Sequence, residues 1–495
     1  KMQKTSLDNI GANLSHLKNN MDTFVKHISS SNEITVFWGY EHYSLNTEYS
    51  FYIDNVCVGK STHTHFTFND LTPNTTYEVK IFANEKPFAT TLLKTSTKKD
   101  KVVVNVNSTG NVLVTKELQD IIDNNIDKII YFPKGTYLSG ALFLHENSHL
   151  YFEKGACLLG STEPKDYLPK IPSRFEGLEM ECYASLINAI SVNNIIIEGE
   201  GEIKGGGAIL GDKIIEAELP YVDASTLDLK KTNPSLIAGR KRNRLINITR
   251  ANNVLIKGLK MGYASSWNLH VLYSENVVIT NCLFESFGVH NGDGIDPDSS
   301  KNIYIFNNTF NSGDDCIAIK SGKNPEGNII NIPTENVEIF DCKTIRGHGC
   351  AIGSEVSGGI KNVNIFDSDF TNTIYGLHIK TTKKRGGFVK NVNVDNVSFP
   401  SINIRMVPYN DDGESSGQLT EFKDFNFSNI SLSGIMYEDV DKTDNVKYAI
   451  EVNGFEDDKT KFSNFTFTNL TFYSSFKDDK ILIANANNIQ IRRKN

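Results

Sequence analysis

Asn253-Val254-Leu255-Ile256, Asn276-Val277-Val278-Ile279, Asn302-Ile303-Tyr304-Ile305, Asn336-Val337-Glu338-Ile339, Asn362-Val363-Asn364-Ile365 and Asn391-Val392-Asn393-Val394 are one short phrase written six times. The intervals between them are 23, 26, 34, 26 and 29 residues, and Asn194-Ile195-Ile196-Ile197 belongs to the same series. Each phrase is an asparagine followed by a strand too short to bury a face alone. Stacking successive coils buries it, which is how solenoids arise. Asparagine tolerates left-handed backbone and can hydrogen-bond along a stack. The expected fold is all-β, a right-handed parallel β-helix over residues 98–495. Leucine-rich repeats are shorter and more regular, and propeller blades need antiparallel hairpins, so both are set aside.

Upstream the text changes. Ile34-Thr35-Val36-Phe37-Trp38, Tyr49-Ser50-Phe51-Tyr52-Ile53 and Thr76-Tyr77-Glu78-Val79-Lys80-Ile81 alternate with period two and are separated by turn residues. They predict a small β-sandwich over residues 31–97. Leu71-Thr72-Pro73-Asn74-Thr75-Thr76-Tyr77 resembles the corner of a fibronectin type III domain, with Tyr77 as the corner tyrosine. Such a domain implies a spacer or docking module. Residues 1–30 read as a polar lead-in.

The chain has 495 residues, which fits two domains. Its net charge of -8 argues against non-specific nucleic-acid binding, while leaving room for a local basic pocket. No apolar run reaches about 18 residues, so no membrane-spanning helix is expected. Seven cysteines, with no Cys-x-x-Cys pair, read as buried free thiols. No apolar h-region is visible, but the chain opens on Lys1, so localisation stays open. The text calls for no metal and no cofactor, and it does not speak to oligomeric state.

The repeat serves as a ruler. Gly313-Asp314-Asp315-Cys316 begins 11 residues after Asn302, and Gly347-His348-Gly349-Cys350 begins 11 residues after Asn336. The two tetrads are expected at the same place on adjacent coils. Gly292-Asp293-Gly294 precedes them and Gly376-Leu377-His378-Ile379-Lys380 follows. Coils lie about 4.8 Å apart, so Asp293, Asp314, Asp315, His348 and Lys380 should form one stripe. Clustered carboxylates raise at least one pKa, as a general acid requires. Asp314 is the candidate acid, with Asp293 and Asp315 handling water. Carboxyls about 6.5–9.5 Å apart would leave room for that water and invert the anomeric centre. His348 would orient the acid, and Lys380 could pair with a substrate carboxylate. Singly, each of these pieces is ordinary turn chemistry. Their shared coil offset is what favours catalysis.

These motifs resemble the polygalacturonase-type glycoside hydrolases of family 28, whose series Asn-Thr-Asp, Gly-Asp-Asp, Gly-His-Gly and Arg-Ile-Lys is matched by Asn291-Gly292-Asp293, Gly313-Asp314-Asp315, Gly347-His348-Gly349 and His378-Ile379-Lys380. Pro133-Lys134-Gly135-Thr136-Tyr137, Ser265-Ser266-Trp267-Asn268-Leu269-His270 and Gly353-Ser354-Glu355-Val356-Ser357-Gly358-Gly359 also match. The resemblance covers roughly residues 100–490. It implies an inverting hydrolase of galacturonic-acid-containing pectic polysaccharide. Asp314 would be the acid, Asp293 and Asp315 would activate water, and His348 would support them. Lys380, His378 and Tyr409 would lie at the substrate carboxylate. An N-terminal sandwich resembles exo-acting members.

Two departures stand out. Gly292 replaces the threonine, and His378 replaces an arginine whose planar fork it cannot reproduce. The second favours a rhamnogalacturonan or substituted galacturonan as the alternative substrate, with Lys383-Lys384-Arg385 as a possible compensation. A polysaccharide lyase on the same architecture, or a carbohydrate-binding protein, are the readings from other classes.

Overall fold

The computed structural model describes residues 24–229, 232–434, 446–473 and 481–493. Residues 1–23 of the predicted lead-in lie outside them. The strand Lys26–Ser29 opens a three-stranded antiparallel sheet, so the sandwich begins inside the segment assigned to the lead-in. A four-stranded antiparallel sheet faces it, and Val36, Trp38, Phe51, Val79 and Ile81 fill the space between. Tyr77 occupies the corner, where its hydroxyl accepts from the Thr72 N–H at 2.8 Å.

From Lys101–Val103 onward the chain winds as a parallel β-helix. Two sheets run its length, of 21 and 11 strands. The helix Thr115–Asn124 turns Leu118 and Ile122 into the first coil and covers its open end. Inward residues of every coil, such as Val277, Ile303, Val337, Val363 and Val392, join one continuous core. The asparagines carry the turns in left-handed backbone: Asn276, Asn302, Asn336, Asn362 and Asn391 have φ of 57–58°. Their amides bond coil to coil: Asn302 Nδ2 donates to Asn276 Oδ1 at 3.2 Å, Asn336 to Asn302 at 3.0 Å, and Asn362 to Asn336 at 3.1 Å.

Outward residues of the same strands receive the sandwich. Phe306, Phe340 and Phe366 stack at 4.8 and 4.9 Å, and Phe37 packs on Phe306. The thiols are all free. Five are buried, but Cys157 is half-buried and Cys57 is exposed on the sandwich, which corrects the expectation of uniformly buried thiols. No described helix is long and apolar enough to cross a membrane.

Candidate active site

The 11-stranded sheet carries the chemistry on its outer face. Ile295 pairs with Ile317, Ile317 with Cys350, and Cys350 with Leu377. Counting back two residues from each puts Asp293, Asp315, His348 and Tyr375 in one column. This differs by one position from the sequence ruler, which set His348 beside Asp314. Asn302 to Ile317 spans one residue more than Asn336 to Cys350, and the corner ahead of Asp315 takes up the difference. His348 still reaches Asp314, with Nδ1 2.9 Å from Oδ1, and its N–H donates to the Asp314 carbonyl at 2.8 Å.

A second column lies at or just past the C-terminal ends of the strands: Asp298, Lys320, Gly353, Lys380 and Arg405. Lys380 Nζ lies 3.7 Å from Asp315 Oδ2 and donates to the Tyr409 hydroxyl at 3.2 Å. The folded chain thus gathers Asp293, Asp314, Asp315, His348, Lys380 and Tyr409 around one cleft of about 410 Å³. Asp293 and Asp315 are nearly covered, whereas a fifth of the Asp314 side chain meets solvent.

Packing so many acids together has electrostatic consequences. Burial pushes the Asp293 carboxyl well up, and Asp296, Asp314 and Asp315 push it further. Burial likewise raises Asp296, to about 7, although Lys320 pulls against it. A hydrogen bond between the facing carboxyls raises Asp293 and lowers Asp296, so the pair can share one proton with Asp293 as its donor. Asp315 is also raised by burial, partly offset by Lys380. Lys320 is buried, which disfavours its charge, yet Glu355 at 3.5 Å and Asp296 at 3.8 Å hold it protonated.

Asp296, Lys320 and Glu355 were not singled out from sequence. Asp296 reads there as the tail of a turn, and only alternation along Ile295–Asp298 could have placed it on the outer face. Asp298, two residues on, is tied to Arg174 at 2.8 Å and His270 at 3.0 Å. Burial works against its charge, but these partners hold the carboxyl down at about 2.

His378 is not on the cleft wall. It is buried, and its Nε2 accepts from Arg405 Nε at 3.3 Å, while Arg405 pairs with Glu451 at 2.9 Å. Burial and the nearby Lys380 and Arg405 keep the imidazole neutral, with its pKa far below the usual value. The substrate-contact role expected of His378 is therefore corrected to one behind Lys380. The Lys383-Lys384-Arg385 cluster does not face the cleft as a cationic patch either. Arg385 is buried and donates to Ser354, Asn324 and Asn410, and Lys384 donates to the carbonyls of Asp411 and Gly413. It braces the loop that presents Tyr409.

The glycine at 292 has a local reason. A Cβ there would come within 2.8 Å of the Val289 carbonyl, so this turn has closed over the room a threonine would need. Arg242 holds the turn, donating to the His290 carbonyl at 2.9 Å and Asn291 Oδ1 at 2.6 Å.

Asp314, Asp315 and His348 bring ligand atoms within 4.8 Å of one another, a spacing that could admit a cation. Lys380 already sets a positive charge against Asp315, which lessens any need for one.

The profile described as "Glycosyl hydrolases family 28" matches residues 173–490. A "Probable polygalacturonase" of Vitis vinifera is 28% identical over 387 residues, 75% of this chain and 73% of that one. An "Exo-poly-alpha-D-galacturonosidase" of Dickeya chrysanthemi is 26% identical over 404 residues, 73% of this chain and 65% of that one. The solved structure of a Yersinia enterocolitica family 28 exopolygalacturonase superposes with a TM-score of 0.77 at 23% identity, over 94% of this chain and 98% of that one. With the profile spanning well over half of its length, the chain belongs to glycoside hydrolase family 28.

Proposed function

We propose that the protein hydrolyses α-linked, galacturonic-acid-containing pectic chains from one end, with inversion. The observation that carries this reading is Lys380 beside Asp315, with Tyr409 against its ammonium, in a cleft shared with Asp293, Asp314 and His348. An ammonium there can receive the carboxylate of a uronic acid and set the neighbouring bond over Asp314. Asp314 gives a proton to the glycosidic oxygen. Asp315, with Asp293 in register above it, orients a water and takes its proton as it attacks the anomeric carbon. His348 holds Asp314 through the 2.9 Å contact.

Action from a chain end is supported by a latch. Arg240, beside the short helix Pro234–Gly239, grips both oxygens of Asp412 at 3.0 Å and reaches Glu176 at 3.1 Å. Lys323 also binds Asp412. Three separate segments are thereby tied together at the cleft wall, and on this reading the tie closes one end of the cleft to a long polymer. Galacturonan and rhamnogalacturonan are incubated with the protein and the products separated by length. Monomer from galacturonan at the earliest times is expected, and Arg240→Ala should shift the products toward longer oligomers. An initial ladder of oligomers from the native protein defeats the chain-end reading. Unsaturated products absorbing near 235 nm defeat hydrolysis in favour of elimination.

A further inference from the structure

The sandwich meets the β-helix at a polar cluster that shares no residue with the cleft. On the sandwich side stands Ser61-Thr62-His63-Thr64-His65, entering the strand His65–Phe68. Residues two apart on extended chain face the same way, and the His63 and His65 rings lie 5.6 Å apart and 20° from parallel.

On the other side is a second row of turn residues. Thr280 pairs with Phe306, Phe306 with Phe340, Phe340 with Phe366, and Phe366 with Asp395. The next residue of each therefore stacks: Asn281, Asn307, Asp341, Asp367 and Asn396. All are left-handed, with φ of 56, 54, 51, 46 and 54°. Where asparagine fills the row it bonds along it, as Asn307 does to Asn281 at 2.6 Å. On the two rungs opposite the histidines, both asparagines are aspartates. Carboxylates one rung apart, about 4.8 Å, lose the amide donor and repel. Asp341 is nearly covered and Asp367 largely so, which strengthens the repulsion.

The atoms that face each other have ligand geometry. His63 Nδ1 is 2.9 Å from Asp341 Oδ1 and 3.2 Å from Asp367 Oδ2. Ligands at about 2.0–2.2 Å from a tetrahedral zinc ion lie roughly 3.3 Å from one another. The remaining carboxylate oxygens are occupied: Asp341 Oδ2 by His65 Nδ1 at 2.5 Å, and Asp367 Oδ1 by the Asn396 amide at 3.1 Å. Such outer contacts aim ligands at a metal. Two carboxylates also balance a divalent charge.

We propose that His63, Asp341 and Asp367 bind one divalent transition-metal ion of the zinc class, braced by His65 and Asn396, at the joint between sandwich and β-helix. The nitrogen-and-carboxylate donor set suits zinc and its neighbours rather than calcium or magnesium. The sequence reading expected no metal, because the ligands come from two domains and about 300 positions of chain separate them.

Untagged full-length protein is stripped with a chelator and titrated with Zn²⁺ by calorimetry, and with Co²⁺ by visible absorption. One ion per chain and a cobalt d–d band are expected. His63→Ala should abolish both. Asp341→Asn/Asp367→Asn should abolish both as well, and it restores the residue of the neighbouring rungs, so the turns persist. Activity on pectic substrate should survive in each variant. Absence of saturable binding in the native protein overturns the proposal. Binding that persists in both variants also overturns it, as does binding lost only on His348→Ala, which would place the ion in the cleft.

Discussion

Lys380 and Asp315 come from coils two turns apart, yet their charged atoms stand 3.7 Å from each other. The contact links substrate capture to the state of a carboxylate that would handle water. Burial raises Asp315, and the ammonium opposes that rise.

Lys380→Ala should therefore do two things. It should raise KM for galacturonan by about 10- to 100-fold, the worth of a charged hydrogen bond. It should also free Asp315 to rise further, so the acidic limb of the kcat/KM profile moves to higher pH. Loss of affinity with an unmoved acidic limb would separate Lys380 from Asp315.

Asp314→Asn should lower kcat by about 10²- to 10⁴-fold, the usual worth of a general acid, with circular dichroism and melting unchanged. Nuclear magnetic resonance of the first product should show an inverted anomer. Retention would instead mark Asp314 and Asp315 as a nucleophile pair, for which carboxyl spacing is about 5–5.5 Å.

Asp296 should make the protein less stable as pH rises. Its folded pKa of about 7 lies above the value near 4 of an unfolded aspartate, so the folded state holds the extra proton in between. The stabilisation is complete below about pH 4 and is lost as pH climbs through 7. Asp296→Asn should flatten that slope and melt higher than the native protein above pH 7. Glu355 remains beside Lys320 in the variant. Activity should fall, because the partner of Asp293 is gone. A melting profile parallel to the native one would mean that the pair shares no proton.

His378→Arg should destabilise the protein instead of simply restoring a carboxylate grip. The imidazole accepts from Arg405, and a guanidinium in its place would bring a third cation against Lys380 and Arg405. Adding Arg405→Gln should recover the melting temperature. Full stability of the single variant would mean that the wall has room for both arginines.

The coil period and the four motifs were legible because they repeat or recur as short local words. Asn302 and Asn336 announce their turns, and Gly313-Asp314-Asp315 announces a corner. The one-residue register slip was hidden, because a corner absorbs it without changing composition. Asp296, Lys320 and Glu355 were hidden because each looks like ordinary strand or turn text. Arg240 and Asp412 meet only through an insertion carrying the helices Gly207–Glu218 and Pro234–Gly239, which no repeat predicts. His378 was legible as a departure, but its partner on the next coil was not.

The asparagine row along the turns is directional. Every side-chain amide passes its hydrogen toward the preceding coil, so the dipoles add head to tail, as peptide dipoles do in a helix. Position within such a line sets the cost of damage. Removing Asn302 severs a bond on each side, whereas the Asn253 amide makes one, the 3.2 Å bond to Asn194, and no donor reaches its Oδ1. Asn302→Ala should lower the melting temperature by about twice as much as Asn253→Ala, so damage to this line is graded by how many of its links each asparagine holds.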